Sequence, residues 1–255
     1  MHIAITREVS PDMAACELSF VARSQVVTAL AQSQHAAYQD ALRGLGCEVI
    51  SLAAEPSLPD AVFVEDTALV FDEVAVITRP GAVSRRAETG AVAEALRVYR
   101  PLLHIDEPAT LDGGDVLRIG PCVYVGISAR SNAEAVAQLR RSLAPHGYSV
   151  QAVAMRDCLH LKSAVTQVAA DTVLINTAWV DAAVFAGYRQ IEVDPNEPHA
   201  ANALLIGDAL IYPTNFPRTR ERLENAGIRV VAVDVGELQK AEGAVTCCSL
   251  LFAAN

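Results

Sequence analysis

Residues 109–153 read ATLDGGDVLRIGPCVYVGISARSNAEAVAQLRRSLAPHGYSVQAV. An apolar segment broken by acids at Asp112 and Asp115 runs into a short strand, LRI. The pair Gly120-Pro121 turns the chain, and VYVG returns beside it. Two apolar runs separated by two turn-forming residues form a hairpin. The helix-like stretch SNAEAVAQLRRSLAPHG follows, with Gly147 where a left-handed cap stops a helix, and then the alternating strand YSVQAV. The fold follows from how often this unit recurs.

Turns of the same kind fall at Asp72-Glu73, Ala170-Asp171 and Gly207-Asp208, so that successive hairpins lie 48, 50 and 37 residues apart. Helix-like stretches come after each: AETGAVAEALRVY, a short one around TAWVDAAVFAG, and RTRERLENAG, the last two stopping at Gly187 and Gly227. The N-terminal SQVVTALAQSQHAAYQDALRGLG makes a fifth, ending at Gly46. Each helix leads into a strand (CEVISL, PLLHI, YSVQAV, RQIEV, IRVVAV), which gives five helix-to-strand junctions against four complete hairpins. The missing hairpin is assembled from HIAIT at one terminus and TCCSLLF at the other, so the two termini close a ring. The expected architecture is a single α/β domain over residues 1–255, a propeller of five like units around a central cavity.

Each of the five strands leads into an apolar segment with a polar or reactive side chain at its heart. These are VFVEDTALV with Glu65 and Asp66, ATLDGGDVL with Asp112 and Asp115, CLHLKSAV with His160, AANALLI with Asn202, and AVTCCSLL with Cys247 and Cys248. A buried neutral polar group without a partner costs roughly 1 to 3 kcal/mol, and a charge costs more. Taken alone, His160 reads as a satisfied core histidine and Asp115 as a turn residue. Five such groups at equivalent positions of a ring face one axis, and together they read as a site. A cysteine acts as thiolate, a histidine moves protons near neutral pH, and a carboxylate such as Asp112 would orient its ring. Zinc is a competing reading, since Cys, His and Asp all ligate it. Read as strand neighbours, Cys247 and Cys248 point to opposite faces and cannot both reach one centre.

Composition sets the bounds. The chain has 255 residues, 52% of them hydrophobic, with a net charge of −10. That charge disfavours nucleic acid as a partner and favours a cationic small molecule. The N-terminus MHIAITREVS lacks the pattern of a signal peptide, and no apolar run is long enough to span a membrane, so a cytoplasmic protein is expected. The six cysteines show no Cys-x-x-Cys spacing. Arg79, Arg85, Arg86 and Arg130 lie between hairpin and helix, where two of them near a cavity mouth would clamp a carboxylate. Acids below and guanidinium groups at the rim suit a ligand with one cationic end and one carboxylate end.

These motifs resemble the dimethylarginine dimethylaminohydrolases, members of the guanidino-modifying (pentein) superfamily with its five-bladed α/β propeller. The segments PDAVFVEDTAL, ITRPGAVSRRAET, TLDGGDVL, GISARSNAE, LHLKS, AANALL and GAVTCCSLL fall in the family's order almost end to end. The resemblance implies Cys247, first of the pair in TCCS, as nucleophile and Cys248 as bystander. It implies His160 as general acid and base and Asp112 as its carboxylate partner, where some bacterial relatives carry Glu. Asp60, Glu65 and Asp66 match the acids at the guanidinium end, and Arg85 and Arg130 the pair that holds the substrate's α-carboxylate. Leu18 matches a lid leucine, and Ala241 stands where relatives place Ile or Val and offer a backbone carbonyl.

The implied reaction is hydrolysis of an N-methylated arginine to citrulline and a methylated amine through a covalent thiouronium on cysteine, with no metal or organic cofactor. Within the superfamily the rivals are an arginine deiminase or an amidinotransferase acting on another guanidino acid. From a different class comes a noncatalytic propeller that binds the ribosome, which would need basic patches and no reactive triad. The expected partner is a small guanidino amino acid, and a homodimer is compatible with the sequence.

Overall fold

The computed structural model describes residues 1–254. Its fifteen strands form five three-stranded sheets, each an antiparallel hairpin with a parallel third strand. The first blade is made by both ends of the chain. Strand β1 (His2–Arg7) lies between β2 (Cys47–Leu52), parallel to it beyond helix α1 (Thr28–Gly44), and the C-terminal β15 (Leu250–Ala253), antiparallel to it, with Ile3 opposite Phe252. The ring is therefore closed as the sequence predicts.

The second blade holds β3 (Ala68–Val70), β4 (Ala75–Ile77), helix α2 (Thr89–Leu96) and β5 (Leu102–His104). The third holds β6 (Val116–Ile119), β7 (Cys122–Ile127), α3 (Ala133–Leu143) and β8 (Ser149–Ala154). A single helical turn, α4 (Leu161–Ala164), precedes the fourth blade of β9 (Val165–Ala169), β10 (Thr172–Ile175) and β11 (Arg189–Glu192). The fifth contains β12 (Leu204–Ile206), β13 (Ala209–Pro213), α5 (Pro217–Asn225) and β14 (Arg229–Val233), and is followed by the short helix α6 (Gly236–Gln239).

Instead of one core the protein has five, one between each pair of neighbouring blades. The middle strands show why. Side chains alternate along a strand, so Ile3 and Ile5 of β1 pack toward the second blade while Ala4 packs toward the fifth. In the same way β7 sends Val123 and Val125 to one interface and Tyr124 to the next, and β10 divides Val173 and Ile175 from Leu174. A strand buried on both faces must be apolar throughout, which is the reason for the runs AVI, VYV and TVLI.

Helix α3 illustrates the local physics. The Asn132 side chain accepts the Ala135 N–H at the N-terminus, and Ala135, Val136, Leu139 and Leu143 line the buried face. Gly147 ends the following turn at φ +81°. Gly46 and Gly227 also take the left-handed conformation, but Gly187 does not: the stretch before it is only a 3-10 turn, Ala182–Phe185, capped by Asp181. Among the described residues no helix is long and apolar enough to cross a membrane.

Candidate active site

The five polar-hearted segments do meet at the axis, though as tight turns and not as strands. Glu65 and Asp66 sit on the 3-10 turn Val64–Thr67, Asp115 on Gly113–Asp115, and His160 immediately before α4. Each leads into the first strand of its blade. The turns are joined in a closed circle of hydrogen bonds. The Glu65 N–H donates to the Cys247 carbonyl, Gly114 N–H to Asp66 Oδ1, and Leu161 N–H to Asp115 Oδ1. The Asn202 amide then donates to the Lys162 carbonyl and to Thr246 Oγ1, beside Cys247. Asn202 is thus a link in this circle and does not line the cavity at its centre.

That cavity has a free volume of about 20 Å³, with Cys247, His160 and Asp66 on its wall. Asp60, Arg85, Arg130 and Ala241 line it as well. Cys247 is 9% exposed, whereas Cys248 is fully buried in the core with its Sγ against the Ala244 carbonyl. The two thiols are separated by the turn that carries them, not by strand alternation.

His160 is held on one side, where Nε2 lies 3.1 Å from Asp112 Oδ2. Asp112 is itself fully buried and accepts the Gly81 N–H at its other oxygen. On the second ring nitrogen, Nδ1 stands 4.0 Å from Asp66 Oδ1. Gly114 makes this possible, because a Cβ there would come within 2.5 Å of Nδ1. Burial by itself would lower the imidazole's pKa. Asp66, the Asp112 hydrogen bond and Asp115 outweigh it and push the pKa up to about 9. At neutral pH the ring is an imidazolium. Against the burial that would raise it, His160 and Arg85 bring Asp66 down to about 2. The Cys247 thiol moves the other way: burial, with Glu65 and Asp66 nearby, raises its pKa well above the ordinary thiol range.

The remaining predicted residues divide in two. Arg85 is 5% exposed and its guanidinium is largely committed, to Asp66 at 2.6 Å, to Glu88 at 2.8 Å and to the Phe63 carbonyl. Arg130 is freer. It donates to Ser19 Oγ at 3.2 Å and lies 4.0 Å from Asp112. The Glu65 carboxylate is taken by Lys162 and Thr246, and with Lys162 it lines a different cavity. Leu18 is half-buried, packs on the core between the fifth and first blades, and does not line the cavity. Ala241 does.

The resemblance places a lid at Leu18; what sequence reasoning missed is how that segment is anchored over the site. Glu17 and Glu242 also line the cavity. The Glu17 N–H donates to Asp60, and the Glu242 carboxylate accepts three consecutive backbone N–H groups, from Ser19, Phe20 and Val21. Farther along, the Val27 N–H is held by Glu237 of α6. The segment is strapped across the mouth. Loops carry no periodicity, so the pairing of Glu242 and Glu237 with this segment leaves no local signal in the sequence. Glu88 could have been found, since it stands three residues from Arg85 on one helical face.

Among the described residues, Asp66, Asp112 and His160 bring potential metal donors within 4.8 Å of one another. Their atoms are already engaged by Arg85, by the Gly81 and Gly114 N–H groups and by each other, and Cys247 is not among them. The donor set suits proton transfer better than a cation.

Residues 5–184 match the family model described as N,N dimethylarginine dimethylhydrolase, eukaryotic. The N(G),N(G)-dimethylarginine dimethylaminohydrolase of Streptomyces coelicolor is 43% identical over 249 residues, covering 97% of this chain and 95% of that one. The Pseudomonas aeruginosa protein of the same name is 37% identical over 88% of this chain and 89% of its own. The structure of a cysteine-to-serine mutant of the Pseudomonas aeruginosa enzyme with citrulline superposes with a TM-score of 0.94 at 35% identity, covering 98% of both chains. A cyanobacterial arginine dihydrolase domain, 18% identical with a TM-score of 0.85 over 98% of each chain, shares the fold. Identity at this level along almost the whole length, on the same five-bladed ring, establishes that this chain belongs to the dimethylarginine dimethylaminohydrolase family.

Proposed function

We propose that the protein hydrolyses N-methylated arginine to citrulline and a methylated amine. The observation that carries this reading is that Cys247 and His160 share one acid-lined cavity while Asp112 holds the imidazole from behind. The Streptomyces coelicolor and Pseudomonas aeruginosa dimethylarginine dimethylaminohydrolases, and the citrulline complex of the latter, support it.

A guanidinium carbon is a poor electrophile, so the site must fix the cation and protonate the nitrogen that leaves. Asp66 and Asp60 supply the negative charge. With its pKa raised by burial and by Glu65 and Asp66, the thiol stays protonated in the free enzyme. A bound substrate cation favours the thiolate, whose proton goes to water. Cys247 Sγ attacks the guanidinium carbon, the His160 imidazolium gives its proton to the departing amine, and the C–N bond breaks to leave a thiouronium. Neutral His160 then takes a proton from water, the resulting hydroxide adds to the same carbon, and the C–S bond breaks as the added hydroxyl gives up its proton to Cys247 Sγ, releasing citrulline and the free thiol. Arg130 holds the α-carboxylate, and Arg85 acts chiefly by fixing Asp66. Leu18 and Ala241 contribute backbone carbonyls once the strap adjusts to substrate. Glu65 tethers the Cys247 turn through Thr246.

Product analysis tests the reading. Asymmetric dimethylarginine should yield citrulline and dimethylamine, and Cys247→Ser should yield neither. Ammonia released from arginine as the main product would point to a deiminase, and a new guanidino compound to a transferase.

A further inference from the structure

Asp115 lies outside the catalytic cavity and is assigned no step in the mechanism above. It is fully buried, and each carboxylate oxygen meets a different part of the site. Oδ1 accepts the N–H of Leu161, the residue after His160, at 3.0 Å. Oδ2 accepts the Ser128 hydroxyl at 2.6 Å. Ser128 has no choice of direction. Its oxygen already accepts the Arg130 and Ser131 N–H groups, at 2.9 and 3.1 Å, so its proton must go to Asp115. The Ser131 oxygen in turn accepts the Asp112 N–H, and the Asp115 N–H donates to the Asp112 carbonyl. The carboxylate therefore touches the backbone beside the imidazole and the turn that presents Arg130, while the backbone N–H of the same residue holds Asp112. The fold also keeps room for it: a Cβ at Gly126 would stand 2.9 Å from Oδ1.

We propose that Asp115, acting through Ser128, is a positioning residue that fixes the spacing between His160 and Arg130, and so between the proton-transfer group and the group that holds the substrate's carboxylate. The inference rests on the hydrolase reading for its activity measurements but not for its spectroscopic one. Asparagine cannot replace the carboxylate. Its amide has one acceptor oxygen, whereas Leu161 N–H and Ser128 O–H both require an acceptor. Asp115 also contributes negative charge near His160. The other charged or titratable groups around the imidazole are Asp66 and Arg85, Asp112 and Arg130, and Cys247, with Asp60, Glu17 and Glu242 farther round the same cavity.

The experiment compares wild type, Asp115→Asn and Ser128→Ala by two readouts. The first is the His160 titration followed by NMR, assigned with His160→Gln. The second is steady-state kinetics with asymmetric dimethylarginine and with a methylated guanidine that lacks the α-carboxylate. Asp115→Asn should move the His160 midpoint down by about one pH unit and lower kcat by about tenfold or more. Ser128→Ala should leave the midpoint in place and raise KM about tenfold for the carboxylate-bearing substrate alone. If Asp115→Asn does not fold, the Ser128→Ala comparison decides. A wild-type His160 midpoint in Asp115→Asn, or equal losses toward both substrates that track a lowered Tm in Ser128→Ala, overturns the proposal. A wild-type enzyme inactive on every guanidino substrate would refute the hydrolase reading while leaving the NMR comparison valid.

Discussion

The imidazole of His160 and the carboxylate of Asp112 meet edge to edge, Nε2 to Oδ2 at 3.1 Å, with Asp112 fully buried. The carboxylate fixes the ring and favours its protonated form. Asp112→Asn should therefore lower kcat by about 10²-fold or more, the scale of an impaired general acid. In wild type, activity should fall on the alkaline side as His160 loses its proton near pH 9. In the variant that limb should shift to lower pH in the kcat profile.

Cys247 should be slow to react with a neutral alkylator at pH 7 and faster as pH rises, because burial and the neighbouring acids keep it a thiol. A cationic haloamidine should modify it readily at neutral pH. Intact-protein and peptide mass spectrometry should place the adduct on Cys247 and leave Cys248 free.

Arg85 and Arg130 should separate in their effects. Removing Arg85 leaves Asp66 and Glu88 buried without their partner, so Arg85→Ala should cost about 3 to 5 kcal/mol in denaturant unfolding. Arg130→Ala should change stability little and instead raise KM for substrates with an α-carboxylate. The sign for Asp66 follows from its depressed pKa. Its stabilising contribution is present above the ordinary 3.8 and is lost as pH falls toward about 2, so wild type should lose stability over that window in acid unfolding.

Glu242 should govern how often the strap opens. The cavity beneath it, about 20 Å³, has room for little more than one water, and an amino acid cannot reach the thiol until the strap lifts. Glu242→Ala removes the acceptor of three N–H groups. Trypsin should then cut after Arg23 about tenfold faster or more, given roughly 1.5 to 3 kcal/mol for a hydrogen bond to a charged group.

Gly114 should tolerate no side chain. In Gly114→Ala the new methyl would sit 2.5 Å from His160 Nδ1 and 2.9 Å from Asp66 Oδ1. Turnover should collapse while circular dichroism stays that of the folded protein.

The hairpins were legible because a strand buried on both faces must be apolar at every position, and because a two-residue turn leaves a mark between two such runs. The meeting of Cys247, His160 and Asp112 was legible for a related reason: in a ring of repeats, equivalent positions converge. What was not legible depended on contacts between distant residues. No local pattern shows that the Arg85 guanidinium is occupied by Asp66 and Glu88, that Glu65 turns toward Lys162, or that Glu242 reaches across 221 positions to Val21. The polar hearts looked like strand interiors because their flanks are apolar, yet the acids sit where the backbone tightens to bring N–H groups onto carboxylates.

The two ends of the polypeptide zip together, with Ala253 opposite His2 and the Ala254 N–H on the Met1 carbonyl, and Cys247 lies just before that seam. Closing the ring and placing the sulfur are consequently one structural event, since β15, the strand that seals the circle, begins three residues after Cys247.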